Sequence, residues 1–101
     1  QIVGGVLDGP LAFDNAISPL AARTKGIVSA VAGHADILLV PDLESGNMLA
    51  KQLEYFADAQ SAGMVMGARV PIVLVSRADR VDTRVASCAV AALLAHGRRP
   101  A

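Results

Sequence analysis

Asp36-Ile37-Leu38-Leu39-Val40-Pro41-Asp42-Leu43-Glu44-Ser45-Gly46-Asn47-Met48-Leu49-Ala50-Lys51-Gln52-Leu53 is the stretch that decides how the rest of the chain is read. Ile37 to Val40 is an unbroken apolar run, the pattern of a strand covered on both faces. Pro41 ends it, because proline has no N–H to give to a ladder. Gly46 and Asn47 then read as the opening of a helix, with Leu49, Leu53, Phe56 and Ala57 at helical spacing. A helix start carries free N–H groups and a partial positive charge, so this turn suits an anion.

The totals fit that reading. A chain of 101 residues makes one domain. Apolar residues are 53% of it and aromatics 3%, so the core must be mostly Ala, Val, Leu and Ile. Such a core suits helices laid closely on a parallel-type sheet. Nine basic and nine acidic residues cancel, which argues against a nucleic acid or an acidic membrane surface as partner. The single cysteine, Cys88, excludes an internal disulfide and fits a reducing cytoplasm. No apolar run approaches the roughly 20 residues of a membrane span, and no signal peptide is visible. The first residue is not Met, and the chain opens in strand-like Gln1-Ile2-Val3. It is therefore expected to be part of a longer protein.

Outward from the central stretch, Ile2 to Leu7 reads as a first strand and Asp8-Gly9-Pro10 as a turn. Leu11 to Ala16 forms a helical turn. Ser18-Pro19 reads as N-cap and first position of a short helix that Gly26 stops. Ile27 to His34 is a connection. The central helix is expected to run to about Ser61, before Gly63. Met64-Val65-Met66 and Val70 to Val75 then pair as a hairpin around Gly67-Ala68-Arg69. Asp79 is a good N-cap for a last helix, supported by Asp82. That helix carries Val81, Val85, Cys88, Ala89, Ala92 and Leu93 on one apolar face, with Cys88 an inert part of the core. His96 complements its dipole and Gly97 ends it.

The expected fold is α/β, a sandwich with a mixed, mainly parallel sheet. Ligands in such folds gather beyond the C-terminal ends of strands. Asp8-Gly9-Pro10, Asp42 to Asn47 and Ser76 to Asp79 would then share one edge. Arg77 offers a planar fork for phosphate or carboxylate, and the Ser76 hydroxyl beside it can donate to an oxyanion. A surface arginine beside a turn serine fits the same pattern. Asn47 next to Gly46 can orient a polar ligand, or Ser45 or Asn47 can simply cap the helix. Lys51, one turn on, can reach the same edge or stay solvated. Asp8, Asp14 and Asp42 read more simply as turn or cap residues than as acids or bases. No paired CxxC or HxxxH spacing occurs, which argues against a metal site. GxGxxG, P-loop and GxSxG motifs are absent too.

Three segments carry more than a generic pattern: Asp8-Gly9-Pro10-Leu11-Ala12-Phe13-Asp14-Asn15-Ala16, Ala35 to Asn47, and Val73-Leu74-Val75-Ser76-Arg77-Ala78-Asp79. Their order and spacing resemble the C-terminal part of the phosphate acetyl/butyryltransferase family, nearest to phosphate butyryltransferases and bifunctional enoyl-CoA hydratase/phosphate acetyltransferases. The resemblance covers nearly the whole chain, and its middle segment is the most specific. It implies a three-layer α/β/α, isocitrate/isopropylmalate dehydrogenase-like fold, of which residues 1–101 would be most of the second domain. It also implies an active site completed by an N-terminal domain, a cytoplasmic homodimer, and reversible acyl transfer between coenzyme A and inorganic phosphate. Coenzyme A would be a substrate, with no bound cofactor and no metal.

By that resemblance Arg77 binds the phosphoryl group and Ser76 assists at the oxyanion or leaving group. Gly46, Asn47, Asp42 and Lys51 contact substrate or shape the cleft. Family members often carry an aspartate early in the last helix as a proposed base. The matching position here is Thr83, which leaves Asp79 and Asp82 as the nearby alternatives. Two rival readings stand beside the enzyme: a non-catalytic binding or dimerisation module of the same fold, and half of a sugar-phosphate or dinucleotide-binding dehydrogenase.

Overall fold

The structure is a computed structural model that describes residues 3–98. The chain divides into two compact units, one up to Asp42 and one from Leu43. Four helices follow in order: α1 (Phe13–Ile17), α2 (Pro19–Thr24), α3 (Leu43–Phe56) and α4 (Val81–Gly97).

The first unit is built from local signals. Ser18 caps α2, its hydroxyl accepting the Ala21 N–H at 3.2 Å, and Pro19 stands at the first helical position. At the other end Gly26 is left-handed, with φ +66°. The Gly26 N–H donates to the Arg23 carbonyl and the Ile27 N–H to the Ala22 carbonyl, both at 3.0 Å. Those two bonds make a Schellman stop, whose left-handed position favours a residue without a Cβ. Gly33 has a different reason to be glycine. A Cβ there would stand 2.7 Å from the Pro19 Cα, so the segment before Asp36 can lie on the start of α2 only without a side chain. Gly33 N–H and Ala35 N–H donate to the carbonyls of Asn15 and Ala16 and tie this segment to α1. Among the described residues of this unit, the buried apolar side chains are Ala16, Ala22 and Ala32.

The expected α/β sheet is not there. Among the described residues there is no strand, and the β-type contact is one isolated antiparallel bridge, Val65 to Ile72. The three-layer α/β/α arrangement is thereby overturned. Ile37 to Val40 is irregular, with Ile37 86% and Leu39 91% exposed. Val3 to Leu7 forms no strand either, and Ile2 lies outside the described residues. The reason is that a strand, unlike a helix, cannot satisfy its own backbone. It needs neighbours placed by distant parts of a chain. An apolar run predicts burial on both faces only where such neighbours exist. The hairpin alone is local, and the Val65 N–H does donate to the Ile72 carbonyl at 2.9 Å around the left-handed Gly67.

The second unit corrects the helices as well. α3 begins at Leu43, so Gly46 and Asn47 lie within it and do not open it. It ends at Phe56 rather than near Ser61, because Asp58 turns left-handed (φ 50°). α3 buries no residue, and Phe56 is 87% exposed. The N-cap of α4 is Arg80, not Asp79, and it makes no side-chain cap bond. The apolar face expected for α4 points outward, with Val81, Val85, Leu93 and Cys88 exposed. Its buried residues are Ser87 and Ala91. The Ser87 hydroxyl donates to the Thr83 carbonyl at 2.7 Å and accepts the Gly63 N–H at 2.9 Å, which anchors the chain after α3 against α4. Among the described residues no helix is long and apolar enough to cross a membrane.

Candidate functional site

Helical spacing brings Asn47, Lys51 and Glu54 onto one stripe of α3. That stripe lines a cleft of about 260 Å³ together with Ser61, Gly63, Leu74, Ser76, Asp79 and Thr83. Asn47, Lys51, Ser76 and Asp79, singled out from sequence, therefore meet. The meeting is of helix face and loop, not of strand ends along a sheet edge. A larger hollow of about 410 Å³ shares Glu54, Ser61, Asp79 and Thr83 with it and adds Asp82. Gly46 and Arg77 line neither hollow. Asp42 and the Asp8-Gly9-Pro10 loop belong to the first unit, of which Asp42 is the last residue.

Polar contacts hold the cleft. Lys51 Nζ donates to Glu54 Oε2 at 2.6 Å and to Asp79 Oδ1 at 3.0 Å. Glu54 Oε1 accepts the Ser61 hydroxyl at 2.6 Å. The Asp79 side chain is only 10% exposed and that of Lys51 34%, so the pair is partly screened from water. Lys51 holds the carboxyl of Asp79 below its ordinary value, helped by the Ser76 N–H. Lys51 acts on Glu54 in the same direction, helped by the Ser61 hydroxyl. The Lys51 ammonium is raised in turn, first by Glu54 and then by Asp79.

The Ser76–Asp79 loop is closed on itself. Asp79 Oδ2 accepts the Ser76 N–H at 2.8 Å, and the Asp79 N–H donates to the Ser76 carbonyl at 3.1 Å. The Ser76 Oγ accepts the Ala78 N–H at 3.2 Å, so its own proton stays available. Arg84 Nη2 reaches from α4 to the Arg77 carbonyl at 3.0 Å. The Arg77 side chain is exposed, and its guanidinium pairs with no described residue. Backbone fixed and side chains available is an arrangement able to present a cationic fork and a hydroxyl donor to an anion.

Asp82 is engaged otherwise. Its Oδ1 accepts the Thr83 N–H at 2.9 Å, and its Oδ2 pairs with Arg80 at 3.2 Å. Among the described residues no group of three or more His, Cys, Asp or Glu side chains is placed to hold a metal. Sequence reasoning missed Glu54, Ser61, Ser87 and Arg84. For Glu54 the signal was there: it lies three residues after Lys51, the spacing of a helical ion pair. The others meet their partners through chain reversals that no local pattern announces.

Comparison with known proteins identifies the family of the chain. Residues 2–92 match the family model described as phosphate acetyl/butaryl transferase. The chain is 71% identical over its full length to a phosphate acetyltransferase of Rhizobium meliloti, covering 32% of that protein. It is 66% identical over 94 residues (93% of the chain) to a phosphate acetyltransferase of Rickettsia prowazekii, covering 27% of it. A phosphate butyryltransferase of Clostridium beijerinckii is 50% identical over 95 residues, which are 94% of the chain and 32% of that protein. The chain thus spans about a third of the length of these relatives. A family match over nearly all its residues, with half or more of them identical to each of these relatives, shows that the chain belongs to the phosphate acetyl/butyryltransferase family.

Proposed function

We propose that this chain supplies the phosphoryl-holding part of an enzyme that transfers an acetyl or butyryl group reversibly between coenzyme A and inorganic phosphate. In the direction of acyl-CoA formation, the thiolate of coenzyme A attacks the carbonyl carbon of an acyl phosphate. A tetrahedral oxyanion forms, the carbon–oxygen bond to phosphate breaks, and phosphate leaves with that electron pair. A base takes the thiol proton. Arg77 grips the phosphoryl oxygens with its fork. The Ser76 hydroxyl donates to the oxyanion or the departing phosphate. Asn47 on α3 orients the substrate in the cleft, with Gly46 beside it and Asp42 at the start of the helix. The two thirds of the relatives' length that this chain does not span are expected to supply the remaining contacts. A cytoplasmic homodimer, with no bound cofactor, completes this reading.

The observation that carries the proposal is the Ser76–Arg77 loop, whose backbone is tied on both sides while the hydroxyl proton and the guanidinium stay free. The test is an assay of coenzyme A with acetyl or butyryl phosphate, run on the full-length protein and on this chain alone. Acyl-CoA and phosphate should form with the full-length protein and not with the isolated chain. The exposed Val81, Val85 and Leu93 of α4 favour a second reading, a non-catalytic dimerisation module. It predicts no acyl-CoA from either protein.

A further inference from the structure

We propose that Asp79 and Lys51 are positioning residues, Asp79 clamping the Ser76–Arg77 loop and Lys51 tethering that clamp to α3. The kinetic part of this proposal rests on the acyl-transfer reading; the clamp itself does not.

Both oxygens of Asp79 are occupied. Oδ2 takes the Ser76 N–H at 2.8 Å, and Oδ1 faces Lys51 Nζ at 3.0 Å. A general base needs a lone pair turned toward the proton it removes and an affinity for that proton. Each oxygen of this carboxylate already accepts one hydrogen bond, from an ammonium on one side and a backbone amide on the other, and both contacts favour its charged form, which makes it a poor acceptor for a thiol proton. Lys51 is likewise not a free cation for phosphate, because its charge is divided between Asp79 and Glu54. Glu54 is itself fixed by the Ser61 hydroxyl. The chain of contacts therefore runs Ser61, Glu54, Lys51, Asp79 and ends on the backbone N–H of Ser76. From the other side Arg84 of α4 holds the Arg77 carbonyl. A loop pinned from two helices sets where the Ser76 hydroxyl and the first atoms of the Arg77 side chain stand. Misplacing reacting groups by about 1 Å can lower a rate on the order of 100-fold.

The test uses Asp79→Ala, Asp79→Asn, Lys51→Ala and Lys51→Arg in the full-length protein. Steady-state kinetics with acetyl phosphate and coenzyme A are paired with hydrogen exchange at the Ser76 amide, followed by NMR. Asp79→Ala and Lys51→Ala should each lower kcat/KM for acetyl phosphate about 10- to 100-fold. KM for coenzyme A should stay unchanged, and the Ser76 amide should exchange faster. Asp79→Asn keeps an acceptor for that amide, and Lys51→Arg keeps the charge, so each should recover the larger part of the loss. The proposal for Asp79 is overturned if Asp79→Asn is as damaging as Asp79→Ala while exchange at Ser76 is unchanged; Asp79 would then be the base. The proposal for Lys51 is overturned if Lys51→Ala raises KM for acetyl phosphate without touching that exchange, which would make it a ligand for substrate. Should the wild-type protein form no acyl-CoA, the acyl-transfer reading falls. The exchange rates of the variants then decide the clamp by themselves.

Discussion

Lys51 stands between two carboxylates, and that placement governs how all three groups titrate. Asp79 and Glu54 are held below their ordinary values chiefly by the hydrogen bond each accepts from Lys51. The charges that face Asp79 are Lys51 and Glu54 on α3 and Arg84 on α4. A carboxylate with a depressed folded value contributes stability that is fully present above its unfolded value, near 3.9 for Asp and 4.3 for Glu. That contribution is lost as pH falls through the lower folded value. The Lys51 contribution runs the other way, present below its unfolded value near 10.4 and lost above the raised folded one. The network should therefore be intact through neutral pH and fail in acid. NMR titration of the two carboxyl groups checks this. In the wild type both should protonate below the ordinary values. In Lys51→Met two carboxylates that shared one ammonium remain together, and at least one should protonate higher. Unchanged titration in that variant would show that the contacts with Lys51 are not formed in solution.

The elements show which sequence signals are self-sufficient. α2 was legible at both ends because Ser18, Pro19 and Gly26 act on backbone within a few residues of themselves. The start of α3 was misread because Gly46 looked like an opening signal, whereas the helix was already under way at Leu43. The run Ile37 to Val40 has the composition of a buried strand and none of the neighbours that make one. The apolar stripe of α4 promised a core, yet the inward side of that helix carries Ser87, whose side chain is fully buried. A small hydroxyl can replace an apolar residue there because it bonds both the Thr83 carbonyl and the Gly63 N–H. Ser87→Ala removes the acceptor for Gly63 and should destabilise the protein by about 1–2 kcal/mol. Denaturant unfolding would read that as a lower midpoint, and an unshifted midpoint would show that the Gly63–Ser87 bond adds nothing.

At the scale of the molecule, four of the residues singled out from the sequence share one cleft, although the sheet expected around them is absent among the described residues and Gly46 and Arg77 line neither hollow. Asn47 stood out as a polar residue beside a glycine, Ser76 as a serine before an arginine, Lys51 as the residue one helical turn beyond Asn47, and Asp79 as a helix cap near the position expected for a base. Their meeting in one cleft needs only α3 and the loop before α4, all within the unit from Leu43. The sheet that was to align them did not form, and the cleft does without it. What could not be read was the division of labour. Lys51 and Asp79 face each other, while Arg77 remains unpaired among the described residues. Under the acyl-transfer proposal that unpaired guanidinium is the group assigned to the phosphoryl oxygens. The decisive measurement is the steady-state rate of acyl-CoA formation from acyl phosphate by the full-length protein carrying Arg77→Ala. A loss of about 100-fold or more in kcat/KM for the acyl phosphate, with KM for coenzyme A unchanged, is the expected result. Turnover within a few-fold of the wild type would contradict the account, because the phosphoryl group would then be held by something other than this loop.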